Sequence, residues 1–305
     1  MKEKSPIPDD YAFHWSFLAL NNDELKLESS RIVVLPVPYD STTSYRSGAK
    51  EGPRAIIEAS RYLEDYDLEL DCEISDVGIY TLPELDPNVD GPYKMTERVQ
   101  NVSKAIFESG KILAMLGGEH SISLGAISAA AEMYENLSVL YLDAHGDLRD
   151  MYMGSRYSHA CTARRVLEIA PVVEVGVRSI SKEEIKFYES SKSKNLDIYF
   201  YERTASAESW NVNEVLEKLS ENVYISLDLD VLDPSIMSAV GTPEPGGIDW
   251  DKITELMITV CRGRNVVGFD IVELCPPAGP SSCAFIAAKL AYKIMGYITS
   301  INHKR

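Results

Sequence analysis

Asp143-Ala144-His145-Gly146-Asp147 follows the apolar run Leu140-Tyr141-Leu142 directly and sets three ligand-type side chains at alternate positions. In extended backbone, residues i, i+2 and i+4 point to one side, so two carboxylates and an imidazole would converge. Carboxylates crowded in this way repel unless a cation lies between them. The alternative, an exposed acidic loop, fits poorly with an apolar strand leading straight into the run. Asp228-Leu229-Asp230 repeats the pattern after Val223-Tyr224-Ile225-Ser226-Leu227, with a solvated strand end as its alternative. Asp233-Pro234 beyond it reads as a turn, so Asp233 is a turn or cap residue rather than a ligand.

Two further strand ends carry candidates. Met115-Leu116-Gly117-Gly118-Glu119-His120-Ser121 closes an apolar run with two glycines, which allow a tight turn and close backbone approach. His120 would then stand at the strand's carboxyl end, although a single histidine beside a turn is more often a hydrogen-bonded structural residue. Glu273 falls just past the run around Val267-Gly268-Phe269-Asp270-Ile271-Val272 and before Cys275-Pro276-Pro277. Alone, it reads equally well as an exposed loop residue. Together, His120, Asp143, His145, Asp147, Asp228 and Asp230 are too many ligands for one tetrahedral zinc and suit two divalent ions sharing carboxylates. Carboxylates favour Mn²⁺ or Mg²⁺ and imidazoles pull towards Mn²⁺, Zn²⁺, Fe²⁺ or Ni²⁺, which makes Mn²⁺ the compromise. Two such ions can hold a water between them and lower its pKa to give hydroxide near neutral pH.

The elements must bring those strand ends together. Short apolar runs at 32–37, 77–80, 112–116, 139–142, 172–177, 198–201, 223–227 and 266–271 read as strands buried on both faces. Between them, 53–63, 95–108, 121–134, 213–219, 250–260 and 281–295 carry apolar residues at helical spacing, with Gly52-Pro53 and Ser281-Ser282 as helix starts. Strands alternating with helices imply βαβ units. The expected fold is α/β, a three-layer α/β/α arrangement with a mainly parallel sheet of about eight strands, in one catalytic domain over 1–305. Ligands in such sheets bind beyond the carboxyl ends of the strands, where the four candidate stretches fall.

Composition narrows the partners. Hydrophobic residues make up 45 % and charged residues 25 % of the 305, so a sizeable core is available. A net charge of −17 argues against nucleic acid and anionic membranes. It fits a cationic substrate, although solubility is the simpler reason for it. The 5 cysteines are odd in number, widely spaced and without a Cys-x-x-Cys pair, which argues against a disulfide framework or zinc ribbon and for a cytoplasmic setting. The start, MKEKSPIPDDYAFHW, lacks the apolar stretch of a signal peptide, and no run of 18 apolar residues marks a membrane span.

At these residues the chain resembles the ureohydrolase family, which includes arginase and agmatinase. The resemblance covers nearly the whole length. It rests on Gly117-Gly118-Glu119-His120-Ser121, Asp143-Ala144-His145-Gly146-Asp147, Ser226-Leu227-Asp228-Leu229-Asp230 and Gly241-Thr242-Pro243-Glu244-Pro245-Gly246-Gly247. Val37-Pro38-Tyr39-Asp40, Tyr45-Arg46-Ser47-Gly48 and Gly52-Pro53 look like the family's N-terminal signature, and the Pro-Glu-Pro-Gly-Gly form is similar to one branch of the agmatinases. The resemblance implies one Mn²⁺ held by His120, Asp143, Asp147 and Asp228 and a second held by Asp143, His145, Asp228 and Asp230, with Asp143 and Asp228 bridging. It implies attack of a metal-bridging hydroxide on a guanidinium carbon, giving urea and an amine. Glu273 matches the glutamate that orients the guanidinium, and His159 the histidine that carries protons to the leaving amine. With Asp147 they form the expected catalytic set. Trimers or hexamers are the expected assemblies. Departures are also visible. Glu119 stands where the family usually has Asp, Ala160 where many agmatinases have Gly, and Ile236-Met237-Ser238-Ala239-Val240 lacks the usual Ala-Pro-Gly-Thr.

The substrate's far end is less constrained. Arg149 occupies the asparagine-type position with which arginases read an amino-acid end, and Ser181 an aspartate-type one. Arg149 could attract a carboxylate, Asp150 could pair with an amine, or both are solvated loop residues. The small cationic substrate expected first is agmatine, giving putrescine and urea. N1-aminopropylagmatine, giving spermidine, comes next, followed by arginine and guanidinobutyrate. A metal-binding regulator without activity and a one-zinc deacetylase of related fold are the readings from other classes.

Overall fold

The computed structural model describes residues 14–21, 25–191, 195–201 and 210–300. The first 13 residues, expected to lack an apolar targeting stretch, lie outside the described residues. Ten strands are present among them: β1 (Ile32–Val37), β2 (Tyr66–Asp67), β3 (Cys72–Glu73), β4 (Ile79–Thr81), β5 (Ile112–Gly117), β6 (Leu137–Leu142), β7 (Val172–Val177), β8 (Leu196–Phe200), β9 (Asn222–Asp228) and β10 (Asn265–Val272). Eight of them form one sheet in the order β4-β1-β5-β10-β9-β6-β7-β8, every neighbouring pair parallel. They coincide, within a few residues at either end, with the eight apolar runs. The antiparallel pair β2-β3 was not anticipated, because two residues per strand leave no periodicity to read.

The helices are α1 (Gly52–Ser60), α2 (Pro92–Glu108), α3 (Ser123–Met133), α4 (Thr162–Val166), α5 (Lys182–Ser191), α6 (Val212–Lys218), α7 (Trp250–Gly263) and α8 (Ser282–Ser300). They cover both faces of the sheet, as in arginase-like α/β folds. Alternate strand residues feed two separate cores. Ile32 and Val34 pack with Ile56 of α1, Leu256 of α7 and Leu290 of α8, whereas Val33 and Leu35 pack with Val99 of α2 and Ile127 of α3. This alternation is what period-two side-chain direction produces in a sheet buried on both sides. Pro53 sits in the first turn of α1, where its missing N–H costs nothing. Asp249 caps α7 by accepting the Lys252 N–H at 2.8 Å. No helix among the described residues is long and apolar enough to cross a membrane.

α5 is absent from the sequence expectation. Its sequence, KEEIKFYESS, is mostly polar. It docks through Glu184, which is buried, and through Phe187, whose ring lies 3.5 Å beneath the Arg164 guanidinium. A polar anchor and a cation–π contact leave no apolar stripe.

Candidate active site

β5, β10, β9 and β6 are consecutive neighbours at the centre of the sheet. Their carboxyl ends deliver His120, Glu273, Asp228 with Asp230, and Asp143 with His145 and Asp147. The turn after β5 needs its glycine. A Cβ on Gly118 would fall 1.9 Å from the Tyr39 carbonyl oxygen, and the next residue, Glu119, donates its N–H to that oxygen at 2.8 Å.

All six candidate ligands, together with His159 and Glu273, line a single small cavity of about 20 Å³. Asp143 is central. Its Oδ2 lies 3.0 Å from His120 Nδ1 and its Oδ1 3.4 Å from His145 Nδ1. Two ligand groups result, His120/Asp143/Asp147 and Asp143/His145/Asp230, and Asp143 belongs to both. Asp228 reaches His120 Nδ1 at 3.2 Å with Oδ2, while its Oδ1 accepts the Asp230 N–H at 2.8 Å. It stands beside the first group without closing on the second.

The electrostatics fit bound cations. Burial opposes ionisation of Asp143, but hydrogen bonds from His120 and His145 outweigh it and hold the carboxyl below its usual range. Burial, reinforced by the neighbouring carboxylates, drives Asp147 and Asp228 well above theirs. His120 and His145 retain protons against the pull of burial because carboxylates face them. Without metal, the cluster must therefore share protons among its members. Two divalent cations would supply four positive charges against the four aspartates, which is the compensation this donor set lacks.

His120 is oriented from behind. Its Nε2 lies 2.9 Å from Ser226 Oγ, which donates to Asp270 Oδ1 at 2.9 Å. Since Ser226 gives its proton to Asp270, it accepts from Nε2–H, and Nδ1 is left facing the carboxylates as a ligand atom. Tyr141 stacks on the ring at 4.4 Å and donates to Asp147 Oδ2 at 3.0 Å. Ser226 and Asp270 are register partners on β9 and β10. Both stood in the quoted runs, and an aspartate within an apolar strand was the readable signal for this support.

Glu119 fixes the opposite wall. It accepts the N–H groups of Ser41 and Thr42 at 2.6 Å each and the hydroxyls of Thr42 and Ser121 at 2.8 and 2.6 Å. The longer side chain is accommodated by reaching the 41–42 loop. Because Thr42 Oγ1 donates to Glu119, it accepts from His159, whose backbone N lies at 3.0 Å and Nδ1 at 3.2 Å. This network selects the Nδ1–H tautomer and leaves Nε2 as the basic nitrogen, 3.4 Å from Ser44 Oγ. Burial lowers the His159 pKa to about 4, away from the near-neutral range ordinary for histidine.

Glu273 and Asp147 both adopt left-handed backbone, at φ 64° and 45°, conformations that non-glycine residues hold only when their surroundings enforce them. Glu273 Oε1 accepts the His120 N–H at 2.8 Å, and its own N–H donates to the Gly118 carbonyl at 2.8 Å. Burial, then the charge of Glu119, raises its carboxyl to about 8.

A match to the arginase family model spans residues 30–296. The chain belongs to the arginase family. It is 38 % identical over 275 residues to N(1)-aminopropylagmatine ureohydrolase of Synechocystis, covering 87 % of this chain and 88 % of that protein. It is 33 % identical over 272 residues to an agmatinase of Pyrococcus horikoshii, covering 88 % and 93 %. The crystal structure of agmatine ureohydrolase from Thermoplasma volcanium superposes with a TM-score of 0.86 at 30 % identity, over 97 % of this chain and 98 % of that one. This arginase-family chain is therefore a hydrolase acting on guanidino C–N bonds, in a family of binuclear metal enzymes.

Beyond the metal cavity lies an outer one of about 300 Å³, which shares Ser44, His145, Asp147, His159 and Thr242 with it. Arg149, Ser181, Tyr152 and the buried Glu184 complete its wall. Arg149 faces Glu184 at 3.9 Å and lies over the Tyr152 ring at 5.1 Å. Asp150 does not join them. Its carboxylate is held by Arg165 at 2.8 Å and Arg156 at 3.2 Å, and it lines neither cavity. The pairing of Asp150 with a substrate amine is thus replaced by pairing with arginines, and Glu184, hidden in the polar α5, joins Asp147 in the wall of the outer space while accepting the Leu148 and Ser181 N–H groups at 3.0 and 2.9 Å.

Proposed function

We propose that this protein hydrolyses the guanidino group of an aminoalkylguanidine to urea and a polyamine with two Mn²⁺ ions, and that N1-aminopropylagmatine is preferred to agmatine. The observation carrying the choice is the outer cavity, which continues from the metal cavity and gives a longer tail room. Four relatives at 33–38 % identity bear the aminopropylagmatine name. Agmatine, first in the sequence reading, becomes the second candidate. Arginine is disfavoured because the amino-acid-reading positions hold Arg149 and Ser181.

In this reading His120, Asp143, Asp147 and Asp228 would hold one ion and Asp143, His145, Asp228 and Asp230 the other. When bound, the ions would supply a water-derived nucleophile at neutral pH. The residues do the rest. Glu273 spends Oε1 on the His120 N–H and presents Oε2 to the guanidinium, whose charge draws its raised pKa down and strengthens the pair. His159 enters neutral, takes at Nε2 the proton that the attacking water gives up, and passes it to the leaving nitrogen as the C–N bond breaks. Ser44 lines both cavities beside that nitrogen, with its Oγ 3.4 Å from His159 Nε2.

Urea release with Mn²⁺ from N1-aminopropylagmatine, agmatine, arginine and guanidinobutyrate tests the proposal. The expected order of kcat/KM is N1-aminopropylagmatine, then agmatine, with arginine far below. Arginine outpacing both would refute it. One zinc per chain, or no urea from any substrate, would favour the deacetylase or regulator reading.

A further inference from the structure

The amino ends of the central strands surround a second large cavity of about 720 Å³, at the opposite end of the sheet from the metal ligands. Arg31 before β1, Lys111 before β5, Arg262 in the last turn of α7 and Arg264 between α7 and β10 line it, against a single carboxylate, Glu221. In a chain of net charge −17, this local surplus runs against the whole. None of the four forms an ion pair among the described residues. Arg31 donates to the Thr299 carbonyl at 3.4 Å, Lys111 to those of Glu28 and Ser30, and Arg264 to those of Leu219 and Leu216 at 2.9 and 2.6 Å. Carbonyl oxygens position these groups but carry no net charge, so Glu221 is left as the one anionic side chain in the wall against four cations. Arg262 is exposed and makes no such contact.

We propose that this cavity binds a small molecule bearing two or more linked phosphate groups. Guanidinium forks match phosphate oxygens, and several cations around one half-open pocket suit a multiply charged anion better than a single carboxylate. The volume lies in the range of small-molecule sites. Tyr134, Ile298 and Val267 add apolar wall that an attached organic group could cover. β10 is eight residues long, which separates this cavity from the metal centre by about 25 Å at the rise of a strand. One ligand cannot occupy both, and this site does not depend on the substrate proposed above.

Calorimetric titration of the Mn²⁺-loaded protein with inorganic pyrophosphate and with ADP, in low-salt buffer containing excess Mg²⁺, tests it. One anion per chain is expected, with Arg262→Glu and Arg31→Gln each weakening binding about tenfold or more, while urea release without the anion is unchanged. Binding of both compounds identifies a site for the phosphates alone; binding of ADP only identifies a nucleoside diphosphate site. Absence of binding by wild type, equal affinity in both variants, or loss of binding in Glu273→Gln would overturn the proposal.

Discussion

His120 and His145 stand across Asp143 from one another, yet their settings differ. The His120 side chain is 1 % exposed, stacked on Tyr141 and oriented through Ser226 and Asp270. The His145 side chain is 25 % exposed, and its outward Nε2 faces Glu244 at 3.9 Å across the edge of both cavities. A buried ligand with a fixed tautomer loses little freedom on binding metal, whereas an exposed one must be ordered as the metal arrives. The difference teaches that a site symmetric in ligand types is asymmetric in preorganisation. The ion on the His120 side is expected to bind more tightly and leave last.

The largest effect belongs to the residue both sides share. Asp143→Asn should lower kcat/KM by about 10³-fold or more, about 4 kcal/mol of lost stabilisation, and metal analysis should find both ions depleted. Loss of one ion alone would break the picture of a shared ligand.

The next test concerns the charge stored in the metal-free cluster. Asp147, Asp228 and Glu273 have raised folded pKa values, so the folded state holds protons that the unfolded state has released, and stability falls as pH rises above the ordinary carboxyl range. His120, also raised, contributes stability below its unfolded value that is lost as pH climbs through the folded one. His159, lowered to about 4, acts oppositely, but only between that value and the ordinary histidine range. Chelated protein should therefore lose about 3 kcal/mol for each excess proton held between pH 6.5 and 8.5. Denaturant melts at the two pH values measure this. Mn²⁺ should flatten the profile, and an unchanged slope on Mn²⁺ addition would separate the cost from the metal site.

Ser226→Ala removes the acceptor behind His120 and leaves the His145 side intact. A 10- to 100-fold loss of affinity is expected for one ion only, read by competition with a chelating dye. Equal weakening of both ions would erase the asymmetry. The smallest change is Glu244→Gln, at the exposed edge. Metal content should stay within about twofold of wild type, as for other exposed pairs.

The legible part of this site was local. Alternation placed Asp143, His145 and Asp147, and Asp228 with Asp230, at strand ends, because those positions depend only on the period of a strand. Partners across strands were not legible. Ser226 meets Asp270 only because β10 lies against β9, and apolar runs do not state their order in a sheet. Glu119 was visible as a departure, but its grip on Thr42, and through it on His159, depends on a loop 77 residues away. Asp150 misled for a related reason. Its sequence neighbours say nothing of Arg165, which claims it from α4.

The last strand of the sheet in sequence, β10, lies between β5 and β9, in the middle. During synthesis the sheet must therefore wait as two separate sets, β4-β1-β5 and β9-β6-β7-β8, until residues 265–272 leave the ribosome. Each set would expose an unpaired edge, the situation in which nascent chains aggregate or recruit chaperones. The proposed metal ligands are divided between the same sets, with His120 on one and His145 and the four aspartates on the other. A ribosome-stalled chain ending before β10 should thus lack the ion on the His120 side, which makes completion of the metal pair a late event in the life of the molecule.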